Sequence, residues 1–347
     1  MGHKQEKIIV TGGCGYIGSH TVITLIDRNY EVVILDDLSN SNPQVLDRIE
    51  KITGIRPHFE EVDLKSFDAT QSVFRTHKDA KAVIHFAALK AVAESIQDPL
   101  MYYQNNLFSL INTLKAQDNQ GIKHHIFSSS ATVYGNPSTV PITENEPTQR
   151  PFSPYGNTKK IAEEILEDFT NSQSEMSVIS LRYFNPIGAH DSGQIGEFPN
   201  GIPNNLMPYI TQTAAGVREK LMVFGNDYPT KDGTPIRDYI HVVDLAEAHL
   251  KALQRLLDLS TTKSLEVFNL GTGKGFSVLE MIEAFETVSG SPLNYEITDR
   301  RPGDVAEMFA STALAKHVLN WEAVRDLKEM IQSAWTWEQN LRNEQDK

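Results

Sequence analysis

A tyrosine and a lysine at helical spacing are the residues of this sequence best suited to acid–base chemistry. Tyr155 and Lys159 follow Pro154, which suits the first turn of a helix. A spacing of four places the phenol and the ammonium group on one helix face. Because a nearby cation favours phenolate, we expect the pKa of Tyr155 to fall from about 10 toward neutrality. Tyr155 would then serve as general base for an alcohol or sugar hydroxyl.

Two hydroxyl residues follow a predicted strand shortly before this pair. Ser130 and Thr132 lie at and beyond the end of the run His125–Ser130. Either hydroxyl could bind the reacting group and orient its proton toward Tyr155. The simpler interpretations are a serine-rich turn that satisfies its own backbone and a tyrosine–lysine pair on a solvated helix face. The position of both features after five predicted strands favours catalysis.

A glycine-rich segment near the start of the chain has the order expected of a dinucleotide-binding turn. A predicted strand at residues 8–11 is followed by Gly12, Gly15 and Gly18, and then by an amphipathic helical pattern that reaches Asp27. Gly12 permits a tight turn, Gly15 lets a pyrophosphate approach the backbone, and Gly18 lets the helix pack against the strand. Amides at the helix N-terminus then meet the phosphate charge. A glycine turn without a ligand is the alternative.

Asp36 ends the second predicted strand, Glu31–Asp36. A carboxylate at this point can bind the adenosine ribose hydroxyls, and the alternative is an acid that only caps the strand end. Asp37 follows, and no lysine or arginine occurs between it and Asp47. A 2′-phosphate would meet two carboxylates and no local cation. The sequence therefore predicts NAD rather than NADP as the cofactor.

Composition excludes several classes of protein. The net charge of −13 argues against nucleic acid or an anionic membrane as a partner. Cys14 is the single cysteine and cannot form an intrachain disulfide, which fits a reducing compartment. The N-terminus lacks the apolar segment of a signal peptide, and no run approaches the roughly 18 apolar residues of a membrane helix. We expect a cytoplasmic protein.

Strand-like and helix-like segments alternate along the first half of the chain. Further strands are predicted at residues 57–63, 82–88, 125–130 and 178–184, with helices at 43–53, 66–77, 99–119 and 155–172. This alternation predicts a Rossmann-like, doubly wound parallel sheet that binds its ligand at the carboxyl ends of the strands. After Asn185 the chain is rich in glycine and proline, with helices predicted at 205–216, 242–258, 277–288 and 327–341. We expect a dinucleotide-binding domain at residues 1–185 and a smaller, irregular α/β substrate lobe at 186–347, some segments of which return to the first domain.

The glycine turn, T-G-G-C-G-Y-I-G-S-H at 11–20, and the Tyr155–Lys159 pair together resemble the extended short-chain dehydrogenase/reductase superfamily. Other segments are similar to the UDP-glucose 4-epimerase family within it: H-F-A-A-L-K at 85–90, S-S-S-A-T-V-Y-G at 128–135, L-R-Y-F-N-P-I-G-A-H at 181–190, P-N-N-L-M-P at 203–208, V-F-G-N-D-Y at 223–228 and R-D-Y-I-H-V-V-D-L-A at 237–246. The resemblance implies tightly bound NAD and a UDP-hexose substrate. It also implies transient oxidation at C4, rotation of the 4-keto sugar and return of the hydride, as used in galactose metabolism.

The same resemblance implies roles for individual residues. Catalysis would rest on Tyr155, Lys159 and Ser130, without a metal, in a homodimer. The NAD contacts implied are Gly12, Gly15, Tyr16, Ile17, Gly18, Asp36, Asn40, Ser41, Asp63, Leu64, Phe86, Ala87, Lys90, Asn105, Ser130, Tyr155, Lys159 and Tyr183. The substrate contacts implied are Lys90, Ser130, Thr132, Tyr155, Asn185, Asn205, Leu206, Phe224, Arg237, Tyr239, Arg301, Asp304 and Met308.

Several alternatives stay open at this point. By the same resemblance, Met308 occupies the position at which tyrosine tends to exclude N-acetylated sugars and a small residue tends to admit them. Methionine is intermediate in bulk. An epimerase for UDP-N-acetylglucosamine or UDP-glucuronate is a second candidate, although we identify no group for a uronate carboxylate. A dehydratase would carry an Asp-Glu pair after Thr132, where Val133 follows instead. A non-catalytic NAD-binding protein is a further alternative. Such a protein would have no need of Tyr155, Lys159 and Ser130 together, so their presence argues against it.

Overall fold

The computed structural model describes residues 5–172, 175–199, 201–301 and 303–345. Residues 1–4, which entered the argument about targeting, lie outside the described residues. The strands are β1 (Lys7–Thr11), β2 (Glu31–Asp36), β3 (His58–Glu61), β4 (Ala82–His85), β5 (His124–Ser130), β6 (Ser177–Tyr183), β7 (Asn185–Ile187), β8 (Leu221–Phe224), β9 (Ile236–His241), β10 (Leu265–Leu270), β11 (Gly275–Ser277), β12 (Tyr295–Thr298) and β13 (Glu307–Met308). The helices are α1 (Tyr16–Asp27), α2 (Gln44–Thr53), α3 (Phe67–Thr76), α4 (Val92–Gln97), α5 (Pro99–Asn119), α6 (Pro154–Asn171), α7 (Leu206–Ala214), α8 (Val242–Leu257), α9 (Val278–Ser289) and α10 (Leu327–Gln345), with a 3₁₀ turn at Ala131–Tyr134 and a π turn at Ala315–Leu319.

A seven-stranded parallel sheet lies at the centre of the fold, in the order β10-β6-β5-β4-β1-β2-β3. The predicted Rossmann-like fold is confirmed. The strand order reverses at β1, whose neighbours are β2 on one side and β4 on the other. A crevice opens at such a reversal, outside the carboxyl ends of the strands, and ligands bind there.

The apolar run of β1 shows why the sequence folds into a layered structure. Ile8 and Val10 belong to the same buried cluster as Val22 of α1 on one face of the sheet, whereas Ile9 belongs to a second cluster with Phe74 of α3 on the other. All three strand residues are fully buried. Because helices cover both faces, the strand is apolar throughout instead of alternating with polar residues.

The second half of the chain builds a smaller, irregular lobe and also returns to the central sheet. β9 is central in one small sheet with β7, β11 and β13, and β8 pairs with β12 in another. β10 joins the central sheet beside β6, and α8 packs into the same core as α1. Residues 242–270 therefore pack with the central sheet. None of the helices in the described chain combines the length and the apolar character needed to cross a bilayer.

Candidate active site

The turn between β1 and α1 brings backbone segments so close together that only glycine fits at two of its positions. Gly12 has a φ of 68°, and a Cβ there would lie 2.7 Å from the Ala87 amide nitrogen. A Cβ on Gly18 would lie 2.3 Å from the Gly12 carbonyl oxygen. Gly15 caps α1 without a side-chain hydrogen bond, so the first-turn amides, including those of Tyr16 and Ile17, are not capped by a protein side chain. This cradle fits the pyrophosphate of a dinucleotide.

Asp36 lies buried at the carboxyl end of β2, beside this turn. Its carboxylate accepts hydrogen bonds from the Cys14 amide (3.0 Å), the Leu38 amide (3.0 Å) and the Ser41 hydroxyl (2.9 Å). Burial raises the pKa of Asp36, and these three hydrogen bonds oppose the shift. The carboxylate is held in a fixed position, as a ribose contact requires.

A cation lies near Asp37, contrary to the expectation from the sequence. The Nζ of Lys65 is 3.9 Å from an Asp37 oxygen and 3.0 Å from an Asp63 oxygen, and it donates to Asn105 Oδ1 at 3.1 Å. Lys65 follows β3, which is adjacent to β2 in the sheet but distant along the chain. Because two carboxylates neutralise Lys65, the local charge still disfavours a 2′-phosphate.

Three hydroxyl groups form a chain at the end of β5. Thr132 donates to Ser130 Oγ at 3.0 Å, and the Ser130 side chain hydrogen-bonds the Tyr155 phenol. Ser153 caps α6 through the Gly156 amide at 3.1 Å, which fixes the turn that carries Tyr155. Ser130 is therefore the hydroxyl next to the phenol, with Thr132 behind it.

Lys159 does not lower the pKa of Tyr155 as expected. Its Nζ donates to the Ser128 carbonyl at 2.6 Å and lies over the Phe127 ring, 5.0 Å from the centroid. Burial raises the pKa of Tyr155 to about 12, and only the hydrogen bond with Ser130 opposes this rise. Burial also lowers the pKa of Lys159 to about 7, against the pull of the Glu163 carboxylate. The expected fall in the pKa of Tyr155 is wrong for the protein alone, because burial of the phenol raises its pKa and the hydrogen bond with Ser130, not the charge of Lys159, is what opposes the rise.

Tyr183 has a partner that the sequence did not indicate. Its hydroxyl donates to His249 Nε2 at 2.5 Å, and the His249 ring lies 4.8 Å from that of Phe86. The Leu245 carbonyl can only accept, so Nδ1 of His249 carries the proton that bonds it at 2.8 Å. Burial lowers the pKa of His249 to about 4, which keeps the ring neutral. A lone histidine in an apolar helix gave no signal of this contact.

Two arginines converge on one carboxylate in the second lobe. Asp304 Oδ1 lies 3.6 Å from Arg237 Nη2 and 2.9 Å from Arg301 Nη2. Burial lowers the pKa of Arg237, and the charge of Asp304 opposes this. Arg301 is half exposed and lies 5.8 Å from the Phe224 ring centroid. Paired guanidinium groups of this kind can bind a diphosphate.

Glu197 joins Lys90, which follows β4, to Asn205, which precedes α7, and it was missed by the sequence analysis. Its Oε1 accepts from Lys90 Nζ at 2.8 Å and from Asn205 Nδ2 at 2.6 Å. Its backbone carbonyl accepts from the Trp337 indole at 3.0 Å. The residue lies in an irregular segment without periodicity, so no pattern in the sequence points to it.

The remaining predicted residues lie at related places in the fold. Asn40 and Ser41 follow β2, Asp63 and Leu64 follow β3, Phe86 and Ala87 follow β4, Asn185 begins β7, Leu206 begins α7, Tyr239 lies in β9 and Met308 ends β13. The Tyr16 hydroxyl donates to the Gly188 carbonyl at 2.6 Å, so it ties α1 to the segment after β7. Met308 packs against a cluster that includes Tyr134 and Phe184.

The individual relatives and solved structures are UDP-glucose 4-epimerases, whereas the family model that matches carries the description of a dehydratase. Residues 9–334 match the family model described as GDP-mannose 4,6 dehydratase. A UDP-glucose 4-epimerase of Bacillus subtilis is 55% identical over 95% of this chain and 96% of its own length. The UDP-glucose 4-epimerase of Stenotrophomonas maltophila, solved with NAD and formylated UDP-arabinopyranose, is 45% identical with a TM-score of 0.94 over 98% of this chain and 100% of its own. That of Bifidobacterium longum, solved with NAD+ and UDP, is 43% identical with a TM-score of 0.93 over 97% and 99% of the two chains.

Proposed function

This chain belongs to the UDP-glucose 4-epimerase family of the extended short-chain dehydrogenase/reductases, and we propose from its geometry how its residues perform the reaction of that family. It is an NAD-dependent isomerase that interconverts UDP-galactose and UDP-glucose. When bound, NAD accepts hydride from C4 of the hexose and returns it to the opposite face after the 4-keto sugar has rotated. The dehydratase and uronate alternatives are not favoured by these relatives.

In our proposal Tyr155 holds and returns the proton of the sugar 4-hydroxyl. The observation that carries it is the hydroxyl chain from Thr132 through Ser130 to Tyr155. A phenolate at Tyr155 accepts the proton, and Ser130 stabilises that phenolate by donating to it. Positive charge beside the ring offsets the burial that otherwise raises its pKa. Lys159, held at Ser128, binds the nicotinamide ribose.

The second lobe would hold the nucleotide firmly and the hexose loosely. Arg237 and Arg301 bind the diphosphate, for which Asp304 keeps both guanidinium groups in place. We assign Phe224 and Asn205 to the contact with uridine. The 4-keto sugar can rotate only if few fixed contacts hold the hexose ring. The affinity for the substrate therefore has to come from contacts with UDP.

The experiment is a Tyr155→Phe substitution in the purified protein without added NAD. Loss of a general base lowers kcat by about 10²–10⁴, whereas NAD, released by heat and measured by absorbance, stays stoichiometric. Tyr295→Phe, at an exposed position on β12, is the matched control and keeps full activity. A fully active Tyr155→Phe enzyme contradicts the assignment.

Turnover of UDP-N-acetylgalactosamine by the wild type measures whether Met308 admits the acetamido group.

We propose that the chain divides into an NAD-binding domain at residues 1–185 and a UDP-sugar-binding lobe at residues 186–347. Residues 242–270 are assigned to the first domain because β10 pairs with β6 and α8 packs in the same core as α1. A cytoplasmic location is supported by the buried free thiol of Cys14.

We propose further that two copies of the chain pair as a homodimer. Ile96, Leu100 and Phe108 expose 59%, 78% and 49% of their surface on α4 and α5. A cluster of exposed large apolar side chains marks an interface, and a second copy of this chain is the occupant that the family implies.

A further inference from the structure

Two histidines and a glutamate converge at the outer edge of the central sheet. His58 and Glu60 lie two residues apart on β3, the edge strand, so their side chains share one face. His77 directly follows α3. The Nε2 atoms of His58 and His77 lie 2.9 and 3.1 Å from the same Glu60 oxygen, and the two rings are 5.0 Å apart. His77, 17 residues after Glu60, is thus brought to the two side chains on β3.

These donors have the chemistry of a transition-metal site. Two imidazole nitrogens and one carboxylate oxygen are a ligand set that zinc uses with a fourth position left open. One potential ligand atom from each residue lies within 4.8 Å of the others. Zinc bonds of about 2.0–2.2 Å place tetrahedral ligands roughly 3.3 Å apart, so small side-chain movements would admit the ion. His77 is buried, whereas the His58 side chain is 54% exposed and leaves the site open to solvent.

We propose that His58, Glu60 and His77 bind one divalent transition-metal ion, Zn²⁺ among them, and that the ion fastens β3 to the end of α3. Each imidazole now donates its Nε2 proton to Glu60. On binding, the Nε2 lone pairs go to the metal and the protons move to Nδ1. From the sequence we expected no metal in the active site, and this site lies elsewhere, at the amino end of β3.

Calorimetric titration of the full NAD-containing protein with Zn²⁺ tests the proposal. We expect one ion per chain in the wild type and an affinity at least about tenfold weaker in His58→Gln. Glu60→Gln is a second variant at the same site. His317→Gln removes an exposed histidine elsewhere and leaves binding unchanged. Zn²⁺ raises the Tm of the wild type and of His317→Gln only, because the ion binds the folded state.

Two outcomes overturn the proposal. One is the absence of saturable binding up to about 1 mM Zn²⁺. The other is equal affinity in the wild type, His58→Gln and Glu60→Gln. Epimerase turnover in His58→Gln without added metal verifies that the variant is folded, and it is expected to match the wild type because the site is not part of the reaction.

Discussion

Burial acts on the two titratable groups of α6 in opposite directions and favours the neutral form of each. It raises the pKa of Tyr155 to about 12 and lowers that of Lys159 to about 7. A neutral phenol and an amine that is only half protonated near pH 7 carry little charge into a low-dielectric site. A positive charge bound beside them would lower the pKa of Tyr155 and that of Lys159. The lower values favour loss of the phenol proton and the uncharged form of the amine.

Lys159 makes a measurable contribution to the pH dependence of stability. Its pKa is about 7 in the folded chain against a usual 10.5, so between these values the unfolded chain binds more protons. The free energy of unfolding therefore rises with pH in this window, by at most about 1.4 kcal/mol per unit. Lys159→Met removes this rise in the free energy of unfolding. Urea unfolding at roughly pH 7.5 to 9.5, in the lower part of the window, measures the free energy at each pH. Lys160→Met, at the next and more exposed position, keeps the slope of the wild type; equal slopes in all three proteins contradict the prediction.

At the scale of elements, the strands and helices could be predicted because their patterns are local. The bounds of β2 and α5 match the predicted ones, and α6 begins at Pro154 as proline and the Ser153 cap require. What could not be predicted are partners that depend on how elements pair. Lys65 reaches Asp37 only because β3 lies beside β2.

The glycine turn offers a clean test of element geometry. Gly12 and Gly54 both have positive φ values, 68° and 74°, but only a Cβ on Gly12 meets neighbouring backbone, at 2.7 Å. Gly54→Ala should cost about 1 kcal/mol of stability and retain NAD. Gly12→Ala should lose bound NAD as well, because the cradle has to open. NAD content per chain is the measurement, and an NAD-saturated Gly12→Ala protein would argue against a steric role.

At the scale of the whole molecule, the site is assembled from both halves. Lys90 follows β4 and Asn205 precedes α7, and Glu197 holds them at a single carboxylate oxygen. The two arginines and Asp304 lie entirely in the second lobe. Sequence motifs identify such residues individually, but the carboxylate that joins them belongs to a segment without a pattern.

Glu197→Gln should weaken substrate binding. Losing the charge removes the strong acceptor for Lys90 and Asn205, and one hydrogen bond to a charged group corresponds to about tenfold in affinity. We expect KM for UDP-galactose to rise by about that factor with little change in kcat. Glu175→Gln, which breaks the exposed pair with Lys123, is the control and leaves KM unchanged. An unaltered KM in Glu197→Gln means that the contacts of Glu197 with Lys90 and Asn205 do not position the substrate.

The apolar surface of α4 and α5 predicts the assembly state. Leu100→Glu places a charge at the most exposed apolar residue of this patch, where it disfavours pairing. Sedimentation should then report a monomer, whereas Val324→Glu, at a similarly exposed apolar residue elsewhere, should sediment as the proposed dimer. A dimer in the Leu100→Glu variant would place the interface on another face.

The position of β10 has a consequence for how the chain is made. The sheet is complete only when Leu265–Leu270 pairs with β6, whose last residue precedes it by more than eighty positions. During translation the N-terminal strands therefore emerge from the ribosome long before the strand that closes their open edge. An unpaired edge of this kind recruits other chains. Expression cut at residue 185 would release six of the seven strands with the edge of β6 unpaired, and we expect such a fragment to aggregate more than the full chain.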